Sequence, residues 1–313
     1  MFTRVDGLIS SGYGWLPDEQ AGGADFLISL NFGSASSSAA CAGCYTRSFP
    51  ANMPQPDLIA CRNVTVCRGE TRALDRLDLS IPQRSNVAII GPNGCGKSTL
   101  IKTITREVHP LYDPDSSLEI LGRRLYNVFE LRPMLGIVSD DLLQRSRRPA
   151  TGRDVVLSGF FSTLELWPHT EVTAEMEAKA DEVIRLLEIE HLAERTTAQM
   201  SSGESRRVLI ARALVHAPSA LMLDEPTNSL DIRAVHELIG ALRRIAQSGV
   251  GVILVTHHLP DILPEIDRVI LMKNGRVWRD GPKKDLLRAD LLGELFGVEV
   301  ELVERDGFYH LLS

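Results

Sequence analysis

Four short blocks of the chain are apolar almost without interruption: Val87-Ala-Ile-Ile90, Leu135-Gly-Ile-Val138 with Ser139 behind it, Ala220-Leu-Met-Leu223, and Val252-Ile-Leu-Val-Thr256. A strand covered on both faces needs apolar side chains at successive positions, so these runs predict strands buried inside a sheet. An earlier block, Leu58 to Val66, predicts one more strand. Between the blocks the period changes. A helix is predicted to open at Lys97, and within Thr173 to Leu187 the residues Ala174, Met176, Ala180, Val183, Ile184 and Leu187 recur near helical spacing. Alternating strands and helices predict an α/β fold with a mainly parallel sheet flanked by helices. The helical patterning between Leu142 and Met200 predicts an inserted helical subdomain at about 142–205.

Residues 1–56 carry neither period. They hold 7 Gly, 8 Ser and 7 Ala but six charged residues, a composition that predicts a poorly ordered extension. A secretory leader needs a basic start and a continuous apolar run, and Asp6, Asp18, Glu19 and Asp25 interrupt any such run, so none is expected. Patterning begins just after Met53. The expected organisation is therefore an extension over 1–56, a folded domain over 57–281 and a short tail over 282–313.

Composition adds exclusions. Apolar residues at 44% and charged residues at 24% fit a globular chain, and a net charge of −7 offers no broad basic face, so no direct nucleic-acid partner is expected. No run approaches the roughly eighteen apolar residues that cross a bilayer, which leaves a peripheral role at any membrane. The five cysteines form an odd set in the first third, a poor disulfide framework and a sign of a reducing compartment. Cys41-Ala-Gly-Cys44 has the spacing of a metal or redox pair, but no second CxxC or nearby His pair completes a site, so the pair reads as two incidental cysteines.

The strongest chemistry lies in Gly91-Pro92-Asn93-Gly94-Cys95-Gly96-Lys97-Ser98-Thr99, between a predicted strand and a predicted helix. It matches G-x-x-x-x-G-K-[ST]. Glycines let backbone amides curl round phosphate oxygens, the helix N-terminus adds positive potential, Lys97 reaches the β and γ phosphates, and Ser98 ligates Mg²⁺. Cys95 stands beside Lys97 at that N-terminus, where a lowered thiol pKa is expected. Farther on, the strand Leu221-Met-Leu-Asp224 ends in a second acid, Glu225. In that position Asp224 is a candidate metal residue and Glu225 a candidate base for the attacking water.

In this order the motifs resemble those of the ATP-binding cassette (ABC) family, over roughly Leu58 to Gly281. Met200-Ser201-Ser202-Gly203-Glu204 occupies the place of the family signature, Arg206 to Leu214 is similar to the helix that follows it, Asn228-Ser-Leu-Asp231 resembles the loop after the second acid, and Val255-Thr-His257 resembles the switch histidine. The resemblance implies a small antiparallel edge from the first strands. It also implies that Ser201 and Gly203 face the γ-phosphate of a partner subunit's ATP, that His257 senses the γ-phosphate, and that two copies, as a homodimer or heterodimer, drive a separate transmembrane permease from the cytoplasmic face. Within the family, Thr151 to Phe161 and Met200 to Arg207 look similar to molybdate-type (ModF-like) cassettes.

The departures are specific. The signature is MSSGE in place of LSGGQ, and the usual glutamine after the strand at Leu135 is replaced by Asp140, with Gln144 one helical turn on, either of which is a candidate for the metal. Cys67 or Arg68 stands where the family stacks an aromatic on adenine; Arg68 reads equally as a stacking guanidinium or a plain surface residue. Phe160, Phe161 and Trp167 lie where the permease docks in the family, and core packing explains them as well. The function expected is ATP hydrolysis coupled to transport. The alternatives are a soluble ABC ATPase with a regulatory or repair role, and an ATP-binding regulator that hydrolyses weakly.

Overall fold

The computed structural model describes residues 56–125, 128–131, 133–139, 150–163, 166 and 169–312. Asp140, Gln144, Trp167, Cys41 and Cys44 lie outside the described residues. Eleven strands are seen among them: β1 Ile59–Arg68, β2 Thr71–Ile81, β3 Val87–Ile90, β4 Ser117–Ile120, β5 Leu135–Val138, β6 Ala220–Asp224, β7 Gly251–Thr256, β8 Arg268–Lys273, β9 Arg276–Pro282, β10 Glu301–Arg305 and β11 Phe308–Leu312. The main sheet runs β5-β6-β7-β3-β8-β9, parallel from β5 to β8 and closed by antiparallel β9. A second, antiparallel sheet runs β2-β1-β4, as expected at the edge of this core.

The apolar runs are continuous because both faces of the central sheet are covered. Alternate side chains of one strand point to opposite faces, so Val87, Ile89, Ala220, Met222, Ile253 and Val255 enter a core shared with the small sheet. Their neighbours Ala88, Ile90, Leu221, Leu223, Val252 and Leu254 enter a second core on the other face. The first core is completed by helix α1, Lys97–Ile104. The second takes α2 (Gly152–Leu157), α3 (Ala174–Leu186), α4 (Ser202–Leu214), α5 (Ile232–Gln247) and α6 (Ala289–Phe296).

Helix starts follow capping chemistry. Thr173 accepts from the Met176 amide to open α3, Thr151 and Asp154 form a reciprocal capping box on α2, and Asp231 accepts from the Ala234 amide to open α5. Two hairpins turn on Asn274-Gly275 and Asp306-Gly307, all four with positive φ, the conformation a two-residue loop needs to match strand twist. Tyr309 and Leu295, from the segment after Gly281, are buried in the second core. No helix among the described residues is long and apolar enough to cross a membrane.

Candidate nucleotide site

The phosphate-type loop leaves β3 at Gly91, passes beneath β8 and opens α1. A Cβ on Gly91 would run into the carbonyl oxygen of Met272, and one on Gly96, whose φ is +108, would stand 2.5 Å from Ala73 O. Only glycine admits the chain so close to its neighbours at that φ. Gly96 offers α1 no side-chain cap, which leaves the positive helix end open to an anion. Lys97 is buried; its Nζ donates to Gly91 O at 2.7 Å and Pro92 O at 3.3 Å, while Ser98 is exposed.

Lys97 follows β3, Glu225 follows β6, and His257 follows β7, which lies between those two strands. Parallel strands place all three at the same sheet end, the usual position of ligands in open α/β sheets. Lys97 Nζ is 3.7 Å from Glu225 Oε1, and His257 Nδ1 is 2.8 Å from that same oxygen, off the line of a hydrogen bond. Glu225 Oε2 accepts from Thr256 Oγ1 at 3.2 Å and from the His257 amide at 3.3 Å. Glu225 itself has φ +46, the left-handed region that a non-glycine residue enters only under constraint.

Behind the carboxylate lies a layer that sequence patterning did not reveal. Thr256 Oγ1 also lies 2.8 Å from Asp261 Oδ2, and Thr227 Oγ1 lies 2.7 Å from both Asp261 oxygens. Asp261 is 3% exposed. Burial pushes its carboxyl above the ordinary range, against the opposing pull of the two threonine hydroxyls and His258. A polar residue inside the otherwise apolar Leu259-Pro-Asp261-Ile-Leu263 run was the available signal.

A model of the family described as ABC transporter matches residues 74–228. The energy-coupling factor transporter ATP-binding protein EcfA of Methanoculleus marisnigri is 33% identical over 242 residues, which cover 75% of this chain and 83% of that protein. The chain belongs to the ABC transporter family. It is an ATP-binding subunit and an ATPase. Among solved structures, cbiO1 of Clostridium perfringens, part of the ABC transporter complex cbiONQ, superposes with a TM-score of 0.64 at 27% identity, covering 77% of this chain and 94% of that one. A dimeric ATP-binding cassette bound to ADP and Pi in a post-hydrolysis state superposes with a TM-score of 0.58 at 27% identity, covering 72% and 98%.

In this ABC cassette Ser201 and Gly203, which are expected to face a partner's nucleotide, stand at the start of α4. Ser201 caps α4, accepting from the Glu204 amide at 3.2 Å while its own amide donates to Glu204 Oε2 at 2.7 Å. Burial pushes Glu204 up, but those Ser201 bonds and Arg195 outweigh it and hold the carboxyl below its ordinary range. Gly203 packs against α5, where a Cβ would stand 2.6 Å from Ala234 Cβ.

The donors expected for Mg²⁺ are the Ser98 hydroxyl and the Asp224 carboxylate, hard oxygens of the kind this cation takes alongside phosphate and water. No group of three or more His, Cys, Asp or Glu that could hold a metal is found among the described residues. One expectation is corrected. Cys95 is 4% exposed, and burial raises its thiol, outweighing the lowering pull of Lys97 and of the backbone amides at the helix start. Arg68 is exposed and Cys67 half-buried at the end of β1, while Phe160 is partly buried against the second core and meets the His216 ring edge-on.

Proposed function

We propose that this cassette hydrolyses Mg-ATP at two sites shared between two copies, and that closing and release of the pair works a separate transmembrane permease from the cytoplasmic face of the membrane. The observation that carries the reading is the Glu225 carboxylate held between Lys97 and His257. A base poised for water must stand beside the γ-phosphate without being tied up by the metal, and a carboxylate flanked by a phosphate-binding lysine and a histidine meets that need.

The backbone from Gly91 through Pro92, Asn93, Gly94, Cys95 and Gly96 to Ser98 and Thr99 cradles the phosphates, and Lys97 binds the β and γ groups. Ser98 and Asp224 hold Mg²⁺, with Asp140 contributing through water or Gln144 in its stead. Mg²⁺ supplies charge neutralisation on the phosphate oxygens when bound. Glu225 orients and deprotonates the water, and His257 contacts the γ-phosphate. The exposed Ser201 at the α4 tip, with Gly203 behind it, reaches the partner's ATP. Solved cassettes in dimeric form support this pairing, and membership of an ABC transporter supports the permease over a soluble repair or regulatory role.

The cassette proper is placed at 57–281 with its helical insert at about 142–205, the first 56 residues as an extension and 282–313 as a tail. The resemblance of Thr151 to Phe161 to molybdate-type cassettes is retained as the subgroup reading, although the relatives named above carry other names. Steady-state hydrolysis tests the reading. Glu225→Gln is expected to lose turnover by a factor on the order of 10² while still binding Mg-ATP, and Lys97→Ala to lose binding; normal turnover in the first or normal affinity in the second contradicts it.

A further inference from the structure

Helix α4 carries two adjacent arginines, and both are buried. Arg206 is 5% exposed and Arg207 7%. Charged side chains are rarely enclosed unless partnered, and both arginines find partners in the segment that begins at Glu225. Arg206 Nη1 donates to the carbonyl oxygens of Pro226, of Asn228 at 3.2 Å and of Glu225 itself at 3.4 Å. Arg207 Nη2 meets Glu237 Oε2 at 2.8 Å, and Gly203, one turn before Arg206, lies against Ala234. One face of α4 is thus latched to residues 225–237, and its exposed tip carries Ser201.

Glu225 needs such a latch. At φ +46 its backbone sits where an unconstrained glutamate would not stay, and the surrounding structure must over-determine it. Its amide is fixed by Val255 O at 2.8 Å, and its carbonyl oxygen faces Arg206. The three carbonyls converge on one nitrogen, Nη1, carried on a planar guanidinium that keeps its charge when buried.

We infer that Arg206 is a positioning residue for hydrolysis: it holds the backbone of Glu225 in the conformation that aims the carboxylate, and it ties that conformation to the signature end of α4. The inference rests on the reading of Glu225 as base. It predicts an effect on turnover and not on nucleotide binding, because the carbonyls of Glu225, Pro226 and Asn228 that Arg206 meets lie beyond Asp224, and a displacement of the reacting group by about an ångström costs on the order of 10²-fold.

The test is a double-mutant cycle on the full chain, read by steady-state ATPase activity, affinity for a fluorescent ATP analogue, and thermal melting. Arg206→Met is expected to lower kcat roughly 10- to 100-fold with affinity within about twofold of wild type, and Arg206→Lys to recover part of the loss. Adding Arg206→Met to Glu225→Gln is expected to cost little more than Glu225→Gln alone, since both act through one carboxylate. Should Arg206→Met fail to fold, Arg206→Gln carries the same comparison. An unchanged kcat, an affinity that falls in step with kcat, or losses that simply multiply in the double variant overturns the inference alone. A Glu225→Gln variant that hydrolyses at the wild-type rate overturns both it and the reading beneath it.

Discussion

The ammonium of Lys97 stands 3.7 Å from the carboxylate of Glu225, across a gap in which β7 separates the strands that carry them. Both side chains are largely shielded, so their attraction is stronger than that of a surface pair, while two chain carbonyls, Gly91 O and Pro92 O, and the Thr256 hydroxyl around them share the cost of burial. The lysine is aimed back over its own loop, at Gly91 O and Pro92 O, and Lys97 Nζ and His257 Nδ1 both stand at Glu225 Oε1.

Gly96 sets that aim. Its φ of +108 and the 2.5 Å that a Cβ would leave to Ala73 O predict that Gly96→Ala shifts the loop against β2. The backbone strain alone is worth about 1–3 kcal/mol. Thermal melting is expected to drop by several degrees and ATP titration to lose its heat. Gly94→Ala, at φ +80 with nothing within 4 Å, is the control and should melt higher than Gly96→Ala; equal melting temperatures would show that the close approach to Ala73 is unimportant.

Asp261 gives a pH-dependent stability. Burial raises its carboxyl above the ordinary range, so the folded chain holds that proton more tightly than the unfolded chain. Stability from this group is present at low pH and is lost as pH rises through the folded value. Asp261→Asn, which stays neutral, is therefore expected to gain melting temperature relative to wild type as pH climbs out of the ordinary carboxylate range, the difference levelling off above the folded pKa. A difference that does not vary with pH would show that Asp261 titrates as in the unfolded chain.

What the sequence made legible follows from locality. The central strands announce themselves because burial on both faces demands continuous apolar runs, and the loop from Gly91 to Thr99 does so because its glycines and lysine are consecutive. The C-terminal hairpin was missed although Asp306-Gly307 between Glu301–Arg305 and Phe308–Leu312 is a two-residue turn signal; the strands are short and half polar. The roles of Arg206 and Asp261 had no local signal strong enough. An arginine in a helix reads as solvated until the partner carbonyls, brought by another strand, enclose it.

Thiol chemistry separates the burial of Cys95 from the expectation of a reactive thiolate. Cys61 is pushed up to about 12 by burial and Asp78, Cys95 is raised by burial, and Cys67 is half-buried. Among these three, an alkylating reagent is expected to label Cys67 first, read by mass spectrometry of the digested protein, with ATP binding retained. Preferential labelling of Cys95 that Mg-ATP prevents would contradict this.

The central claim is that Lys97, Glu225 and the Ser201–Gly203 signature act as one composite site across two copies. Size-exclusion chromatography with light scattering, with and without Mg-ATP, tests it most directly. Glu225→Gln is predicted to shift to twice the monomer mass only with Mg-ATP, whereas Lys97→Ala, and Glu225→Gln combined with Ser201→Arg, stay monomeric. A Glu225→Gln protein that never changes mass with Mg-ATP, or a dimer that survives Ser201→Arg, would contradict the account.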